Sequence, residues 1–125
     1  MLYLLILPLA VSLAEVASEG PVFMIKHKMS GKYIHPFKSN EWIPDDDHLV
    51  LYQGYQSHMY MTFDSIDDEW GYIRHIDSGK IFHPQGGGMT PSDQTNVVLY
   101  DDNKPWAYFA LDQYNNHIVH HGGCC

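Results

Sequence analysis

Short apolar stretches alternate with polar turn residues along this chain, and no stretch keeps a sustained helical period. The pattern predicts strands at 23–28, 33–35, 48–52 and 59–63, with a Ser-Gly-Lys turn after the first of them. Aromatic residues make up 14% of the sequence, and they accompany many Gly, Pro and Asp residues. This composition also favours β-structure with many turns, so the chain is predicted to be all-β.

The chain repeats itself at a constant offset. Residues 23–36 read FMIKHKMSGKYIHP and residues 71–84 read GYIRHIDSGKIFHP, an offset of 48 that continues downstream. A constant offset without gaps indicates tandem structural units, and four strands in each unit fit a β-trefoil-like fold. We expect two complete units and the start of a truncated third, which we call unit one (23–70), unit two (71–115) and the partial unit (116–125).

The N-terminal segment reads as a secretion signal. Residues 2–13 form an almost unbroken apolar run that is too short to span a bilayer but suits a signal-peptide core. Ser12-Leu13-Ala14 is a small-x-small cleavage sequence, which predicts a signal peptide at 1–14, with cleavage as late as 18 as a second choice. A linker at 15–22 and one domain at 23–125 would follow, giving a secreted protein without membrane insertion. The alternative is a buried N-terminal strand.

The charge balance excludes one class of partner. Lys plus Arg number 7 and Asp plus Glu number 15, so the formal net charge is −8. Nucleic-acid binding depends on a basic surface, which this composition does not provide. We therefore predict no nucleic-acid partner.

The two cysteines are the adjacent Cys124 and Cys125 at the end of the sequence. A disulfide between neighbouring residues is strained, so an interchain bond is one interpretation and a free tail is the other. Two units and one further strand would also leave barrel edges unpaired. A homodimer could therefore form through an open barrel edge or through Cys124 and Cys125.

Two loops of unit two carry candidate binding chemistry. His83-Pro84-Gln85-Gly86 opens one loop, and Asp102 and Lys104 lie in the loop after the next predicted strand. If both loops meet at one rim, they combine an imidazole, exposed amides, a carboxylate and an ammonium in a shallow pocket. Sugar hydroxyls, which both donate and accept, need such a mixture. The structural alternatives are a histidine bonded to a turn carbonyl and a solvated acidic turn.

The combination IKH-x(2)-SGK-x(2)-HP, echoed by WGYIRH and SGKIFHP, resembles the mytilectins, the mussel β-trefoil lectins that bind α-galactosides. The resemblance implies that His83, Gly86 and Asp102 match the family's sugar-binding residues, and that Lys104 stands where the family has His. In unit one only His35 matches, since the remaining family positions are substituted. The resemblance thus implies a galactoside-binding lectin with one surviving site; the degenerate positions of unit one are His35, Lys38, Gly54 and Gln56.

The sequence motifs give less support to other classes of function. No Ser-His-Asp pattern, nucleotide loop or His-Glu-x-x-His motif occurs, so no enzymatic activity and no cofactor are predicted. A non-binding truncated remnant or interaction module remains an alternative because the third unit is incomplete. A metal-binding protein is a weaker alternative, and it rests on the C-terminal group His117, His120, His121, Cys124 and Cys125.

Overall fold

A computed structural model describes residues 2–6, 20–38, 42–54 and 57–122. These residues form short strands and two 3-10 turns, at Ser57–Met59 and Pro105–Ala107, without any α-helix. The all-β prediction is confirmed. The strands are β1 (Leu2–Ile6), β2 (Val22–His27), β3 (Tyr33–Pro36), β4 (Asp47–Tyr52), β5 (Met61–Ser65), β6 (Gly71–His75), β7 (Ile81–Pro84), β8 (Val97–Tyr100), β9 (Phe109–Asp112) and β10 (His117–His120).

Seven strands close into an antiparallel barrel. The ring runs from β2 through β3, β4, β8, β7, β6 and β5, and β5 pairs with β2 again. The two halves of the chain therefore meet at two places, where β4 pairs with β8 and where β5 pairs with β6. A closed ring leaves none of its own strands as a free edge. In the described residues, the pairing path ends at β1 on one side and β10 on the other.

The β3–β4 and β7–β8 hairpins of the barrel have the same register. In the β3–β4 pair His35 lies opposite Val50, and in the β7–β8 pair His83 lies opposite Val98. All four paired positions of each hairpin are related by the offset of 48 found in the sequence. Register decides which face of a strand each side chain occupies, so His35 and His83 hold equivalent places in the two hairpins.

A repeated hydrogen-bonded turn joins the first two strands of each unit. The Nδ1 of His75 contacts the Ser78 hydroxyl at 2.8 Å, and the Gly79 N–H donates to the His75 carbonyl at 2.8 Å. His27, Ser30 and Gly31 repeat these contacts in unit one. Both turn glycines have φ = 73°, a left-handed conformation in which a side chain would be strained. The Ser-Gly-Lys motif therefore forms a turn because its glycine adopts a left-handed backbone conformation.

The hydrophobic core fills the barrel. Both units contribute residues to it, and Ile25 on β2 and Ile73 on β6 hold equivalent positions in the repeat. Burial of these side chains is the main source of stability for a domain of this size. The central cluster comprises Phe23, Ile25, Ile43, Met61, Ile73, Phe82, Leu99 and Phe109.

The predicted signal peptide contributes a strand to the described structure. Within it, β1 pairs with β2 in antiparallel register, from Leu2 opposite His27 to Ile6 opposite Phe23. The predicted cleavage position after Ala14 and the paired cysteines Cys124 and Cys125 lie outside the described residues. Signal cleavage and disulfide-linked dimerisation therefore stay predictions. Among the described residues no helix has the length and apolar character needed to span a membrane.

Candidate functional site

One cavity of about 440 Å³ opens between the two halves of the barrel. The structure brings together the five residues assigned from the sequence to the binding site of unit two, which are His83, Pro84, Gly86, Asp102 and Lys104. They enter from the end of β7, from the glycine loop after it and from the loop after β8. The cavity is lined by Asp46, His83, Pro84, Gln85, Gly86, Gly87, Tyr100, Asp102, Lys104 and Trp106.

His83 is held in one orientation by its strand and by the neighbouring loop. It lies on β7 with 3% of its surface exposed, and its ring meets the edge of Tyr100 at 5.4 Å between centroids. Its Nε2–H donates to the backbone carbonyl of Asp102 at 2.7 Å. Since a carbonyl can only accept, this bond places the proton on Nε2 and leaves Nδ1 as an acceptor. The His83 imidazole therefore makes the hydrogen bond to a backbone carbonyl that the structural alternative predicted, and it also lines the cavity.

The glycine loop after β7 needs its glycines for two different reasons. Gly86 has φ = 86°, but a Cβ there would meet no atom within 4 Å, so conformation alone demands glycine. At Gly87, with φ = 74°, a Cβ would lie 3.0 Å from Nε1 of Trp106. The loop therefore packs closely against the Trp106 ring, which forms the far wall of the cavity.

Asp102, Lys104 and Trp106 form a charged rim with an aromatic side. The Nζ of Lys104 lies 3.5 Å from Oδ2 of Asp102 and 5.9 Å from the centroid of the Trp106 ring. Both charged side chains are more than two-fifths exposed, so water screens their attraction. The carboxylate can therefore exchange its ammonium partner for hydroxyl groups of a ligand without a large energetic cost.

Asp46 is a cavity residue that the sequence analysis missed. It belongs to unit one, yet its amide donates to the Leu99 carbonyl at 2.9 Å, which carries its side chain to the cavity of unit two. Its φ of 65° is matched by Gln94, 48 residues later, with φ = 68°. The sequence pointed to Asp46 through the acidic run at 45–47, but such a run predicts a solvated loop equally well.

Asp45, next to Asp46, fastens the same loop to unit two. Its Oδ1 accepts from Lys80 Nζ at 2.5 Å and from the Asp101 N–H at 3.3 Å. These contacts join residues far apart in the sequence. The cavity is therefore composite, since unit one supplies and anchors one of its walls.

In unit one the ring of His35 contacts other side chains of the protein. Tyr52 stacks on His35 with 4.8 Å between ring centroids and an interplanar angle of 19°, whereas Tyr100 meets His83 edge-on. The Nε2 of His58 lies 2.5 Å from the Nε2 of His35. Both ring nitrogens of His35 thus have partners within the protein, the Pro36 carbonyl for Nδ1 and His58 for Nε2. Lys38 is exposed, and its backbone N–H donates to the Asp47 carboxylate at 2.9 Å. A Cβ at Gly54 would meet no atom within 4 Å. Gln56 lies outside the described residues.

The buried histidines predict a stability that falls in acid. Burial lowers the pKa of His35, His75 and His83 below the ordinary value of 6.5. As pH falls below that value, the unfolded chain takes up protons that the folded chain does not, so unfolding becomes easier. We expect a Tm that is constant above about pH 7 and falls steadily between about pH 6.5 and pH 5. Calorimetry across this range checks the prediction, and a Tm that rises on acidification contradicts it.

Several known proteins are similar to this chain. A family model described as "Alpha-D-galactose-binding lectin" (MytiLec) matches residues 23–125. A galactose-binding lectin of Mytilus californianus is 45% identical over 51 residues, covering 41% of this chain and 34% of the relative. An alpha-D-galactose-binding lectin of Mytilus galloprovincialis is 45% identical over the same share of this chain and 27% of its own length. A galactose-binding lectin of Crenomytilus grayanus is 46% identical over 41% of this chain and 34% of its length.

The matched segment spans about a third of the length of these curated relatives. The family model, in contrast, covers both units and the partial unit. Lectins bind carbohydrate without transforming it, which confirms the prediction that the chain is not an enzyme. Because the family model matches most of the sequence, the chain belongs to the mytilectins, the alpha-D-galactose-binding lectin family.

Proposed function

We propose that this protein is a secreted lectin that binds galactose and α-galactosides through the cavity of unit two. One observation carries the proposal: His83, Gly86, Asp102 and Lys104, which come from two separate loops, line one cavity of about 440 Å³. The relatives that match this chain are named galactose-binding lectins. The cavity supplies both hydrogen-bond donors and acceptors, as a sugar requires.

The groups in the cavity suit a galactose ring. The Nδ1 of His83 accepts a hydrogen bond from one hydroxyl, and the Asp102 carboxylate accepts from two adjacent hydroxyls at once. Lys104 donates to a sugar oxygen, and the Trp106 ring offers an apolar face for the C–H side of the sugar. Asp46 adds a second carboxylate at the opposite wall. Uncharged hydroxyls thus find a partner on each side of the cavity.

Lys104 weakens this site relative to a histidine at the same place. Lysine donates but cannot accept, and its flexible stem loses conformational freedom when it binds. It also lies 3.5 Å from the carboxylate that the sugar hydroxyls need. A single shallow sugar site has a Kd near the millimolar range, about −4 kcal/mol. Strong attachment to cell-surface glycans then requires several linked sites, for which a homodimer provides the simplest arrangement.

The proposed architecture is a β-trefoil-like repeat in which unit one no longer binds sugar. The equal registers of the β3–β4 and β7–β8 hairpins support the repeat. The stacked Tyr52 and the adjoining His58 support a silent unit one, because Nδ1 of His35 contacts the Pro36 carbonyl and its Nε2 contacts His58, so neither ring nitrogen is open to a sugar hydroxyl. Secretion after cleavage at Ala14 is part of the same proposal and follows from the N-terminal sequence.

Retention on an immobilised α-galactoside, with elution by free galactose, tests the proposal. We expect the purified chain to be retarded on the column and to elute at millimolar galactose but not at equal concentrations of glucose. Light scattering on the same sample gives the mass of the binding species, and a mass near two chains supports the dimer. A well-folded chain that passes the column without delay contradicts the proposal.

A further inference from the structure

We propose that a groove on the outer face of the β9–β10 hairpin binds an alkylguanidinium group, the chemistry of an arginine side chain. The inference goes beyond sugar binding, and it uses none of the residues that line the cavity of unit two. It rests on a cavity of about 390 Å³ and on the guanidinium that the equivalent β5–β6 hairpin already holds. This cavity, which we call the hairpin groove, is lined by Asp68, Glu69, Trp70, Ala110, Leu111, Asp112 and Val119.

The β5–β6 and β9–β10 hairpins have the same register. Each of the four paired positions of β9 and β10 matches a pair in β5 and β6, with an offset of 48 between the first strands and 45 between the second. Register decides the face of the hairpin on which a side chain lies. Asp112 therefore takes the place of Asp64, and Val119 takes the place of Arg74.

The β5–β6 hairpin shows what this face can bind. The Nε–H of Arg74 donates to the Asp64 carboxylate at 2.6 Å, and its Nη1–H donates to the Gly79 carbonyl at 2.6 Å. The β9–β10 hairpin keeps the carboxylate but has valine in place of arginine. Arg74 is the only arginine of the sequence, so a guanidinium for Asp112 must come from another molecule.

The Asp112 carboxylate is oriented by its own turn. Its Oδ1 accepts from the Asn115 N–H at 3.1 Å, and its Oδ2 accepts from the Asn115 side-chain amide at 2.8 Å. These hydrogen bonds lower the pKa of the Asp112 carboxyl, so the group is charged at neutral pH. Each carboxylate oxygen has a further lone pair, and Asp112 can therefore still accept two parallel hydrogen bonds from a planar guanidinium.

A hydrogen-bonded turn before β6 brings an indole and two more carboxylates to the groove. The Asp67 carboxylate accepts from the N–H groups of Glu69 and Trp70, each at 2.8 Å, which fixes the turn. Asp68, Glu69 and Asp112 make the lining negative, and none of the described residues that line it is a lysine or an arginine. A guanidinium stacks on aromatic rings as well as pairing with carboxylates, whereas an ammonium is a compact, strongly hydrated charge.

The apolar part of the groove suits an alkyl chain. Ala110 and Val119 lie opposite each other on the two strands, and Val119 is 41% exposed. An arginine side chain packs its methylene groups on such a surface while its charged end reaches polar partners. The described residues hold no group of three or more His, Cys, Asp or Glu side chains placed to bind a metal ion. An organic cation therefore fits this groove better than an inorganic one.

Titration with Nα-acetyl-arginine amide tests the inference, followed by the indole N–H resonance of Trp70 in two-dimensional NMR spectra. The resonance is assigned from its absence in Trp70→Phe. We expect a saturable shift with a Kd in about the millimolar range. The corresponding lysine amide should bind several-fold more weakly, because an ammonium cannot form the planar pair with a carboxylate. Agmatine and a peptide with a central arginine distinguish a free guanidine from an arginine of a partner protein.

Val119→Arg should close the groove from within, as Arg74 does beside Asp64. We expect this variant to lose the shift and to keep the Tm of the parent, whereas the matched control Val119→Leu should bind as the parent does. Asp112→Asn should weaken binding at least about tenfold, because it removes the charge from the hydrogen bonds. Asp93→Asn removes an exposed carboxylate outside the groove and should leave binding unchanged.

Three results would overturn the inference: no saturable shift in the parent, equal affinity for the arginine and lysine amides, or undiminished binding in Val119→Arg or Asp112→Asn. Near-UV dichroism confirms that each variant is folded. None of these measurements uses the galactoside column, so failure here and failure of the proposed sugar binding are distinguishable.

Discussion

Asp102→Ala should abolish retention of the chain on an α-galactoside matrix. The Asp102 carboxylate lines the cavity and can accept from two sugar hydroxyls, and the backbone carbonyl of Asp102, which the substitution keeps, orients His83. Hydrogen bonds to a charged group contribute about 1.5–3 kcal/mol each. Loss of two of them weakens binding at least roughly 100-fold, which places a millimolar site beyond detection. Retention volume and galactose-competition titration measure the effect.

Asp101→Ala provides the matched control. It removes a neighbouring carboxylate of the same loop, and Asp101 does not line the cavity. The main-chain contact of Asp101 with Asp45 uses the backbone N–H and survives the substitution. Equal losses in both variants would show that the loop's overall charge, and not the Asp102 carboxylate, accounts for retention. Unchanged retention in Asp102→Ala would remove the cavity from the proposed function.

Ile73→Ala should cost about 2–5 kcal/mol of unfolding free energy. Ile73 is fully buried on β6 at the centre of the core cluster, in contact with side chains from both units. Removal of its three outer carbons leaves a cavity that a closed barrel cannot collapse around. A loss of this size is a large part of the 5–15 kcal/mol typical of a domain. Urea denaturation followed by tryptophan fluorescence measures it.

Ile76→Ala is the matched control, because it shortens an isoleucine side chain that is not buried. Ile76 lies three residues further along the chain and is 40% exposed. Its substitution should change the unfolding free energy by no more than about 0.5 kcal/mol. Similar losses in the two variants would contradict the position of the core inferred from the barrel.

The sequence predicted the features that depend on local pattern and on the repeat. The strand at 33–35 is observed as β3 and the strand at 48–52 as β4, each within one residue at its ends. The strand predicted at 59–63 begins instead at Met61, because Ser57–Met59 forms a 3-10 turn. Short turns of this type have no strong hydrophobic period, so the apolar Met59 was counted with the strand.

Contacts between units could not be predicted from the sequence. Asp46 reaches the cavity because β4 pairs with β8, a pairing between residues about fifty positions apart. The approach of His58 to His35 likewise depends on how the 3-10 turn folds over β3. Hydrophobic periodicity reports the face of an element but not its neighbour in space. The repeat indicated which positions are equivalent, and only the fold shows which of them meet.

The composite wall of the cavity constrains how this gene can diverge. Because the proposed function leaves unit one without a sugar site, substitution of the exposed Lys38 should be tolerated by a sugar-binding protein. Asp45 and Asp46 serve the neighbouring unit, and mutations there should be removed by selection as strictly as those at Asp102. On the proposed function, a duplicated module that no longer binds sugar would still be retained, because its loop forms part of its neighbour's cavity.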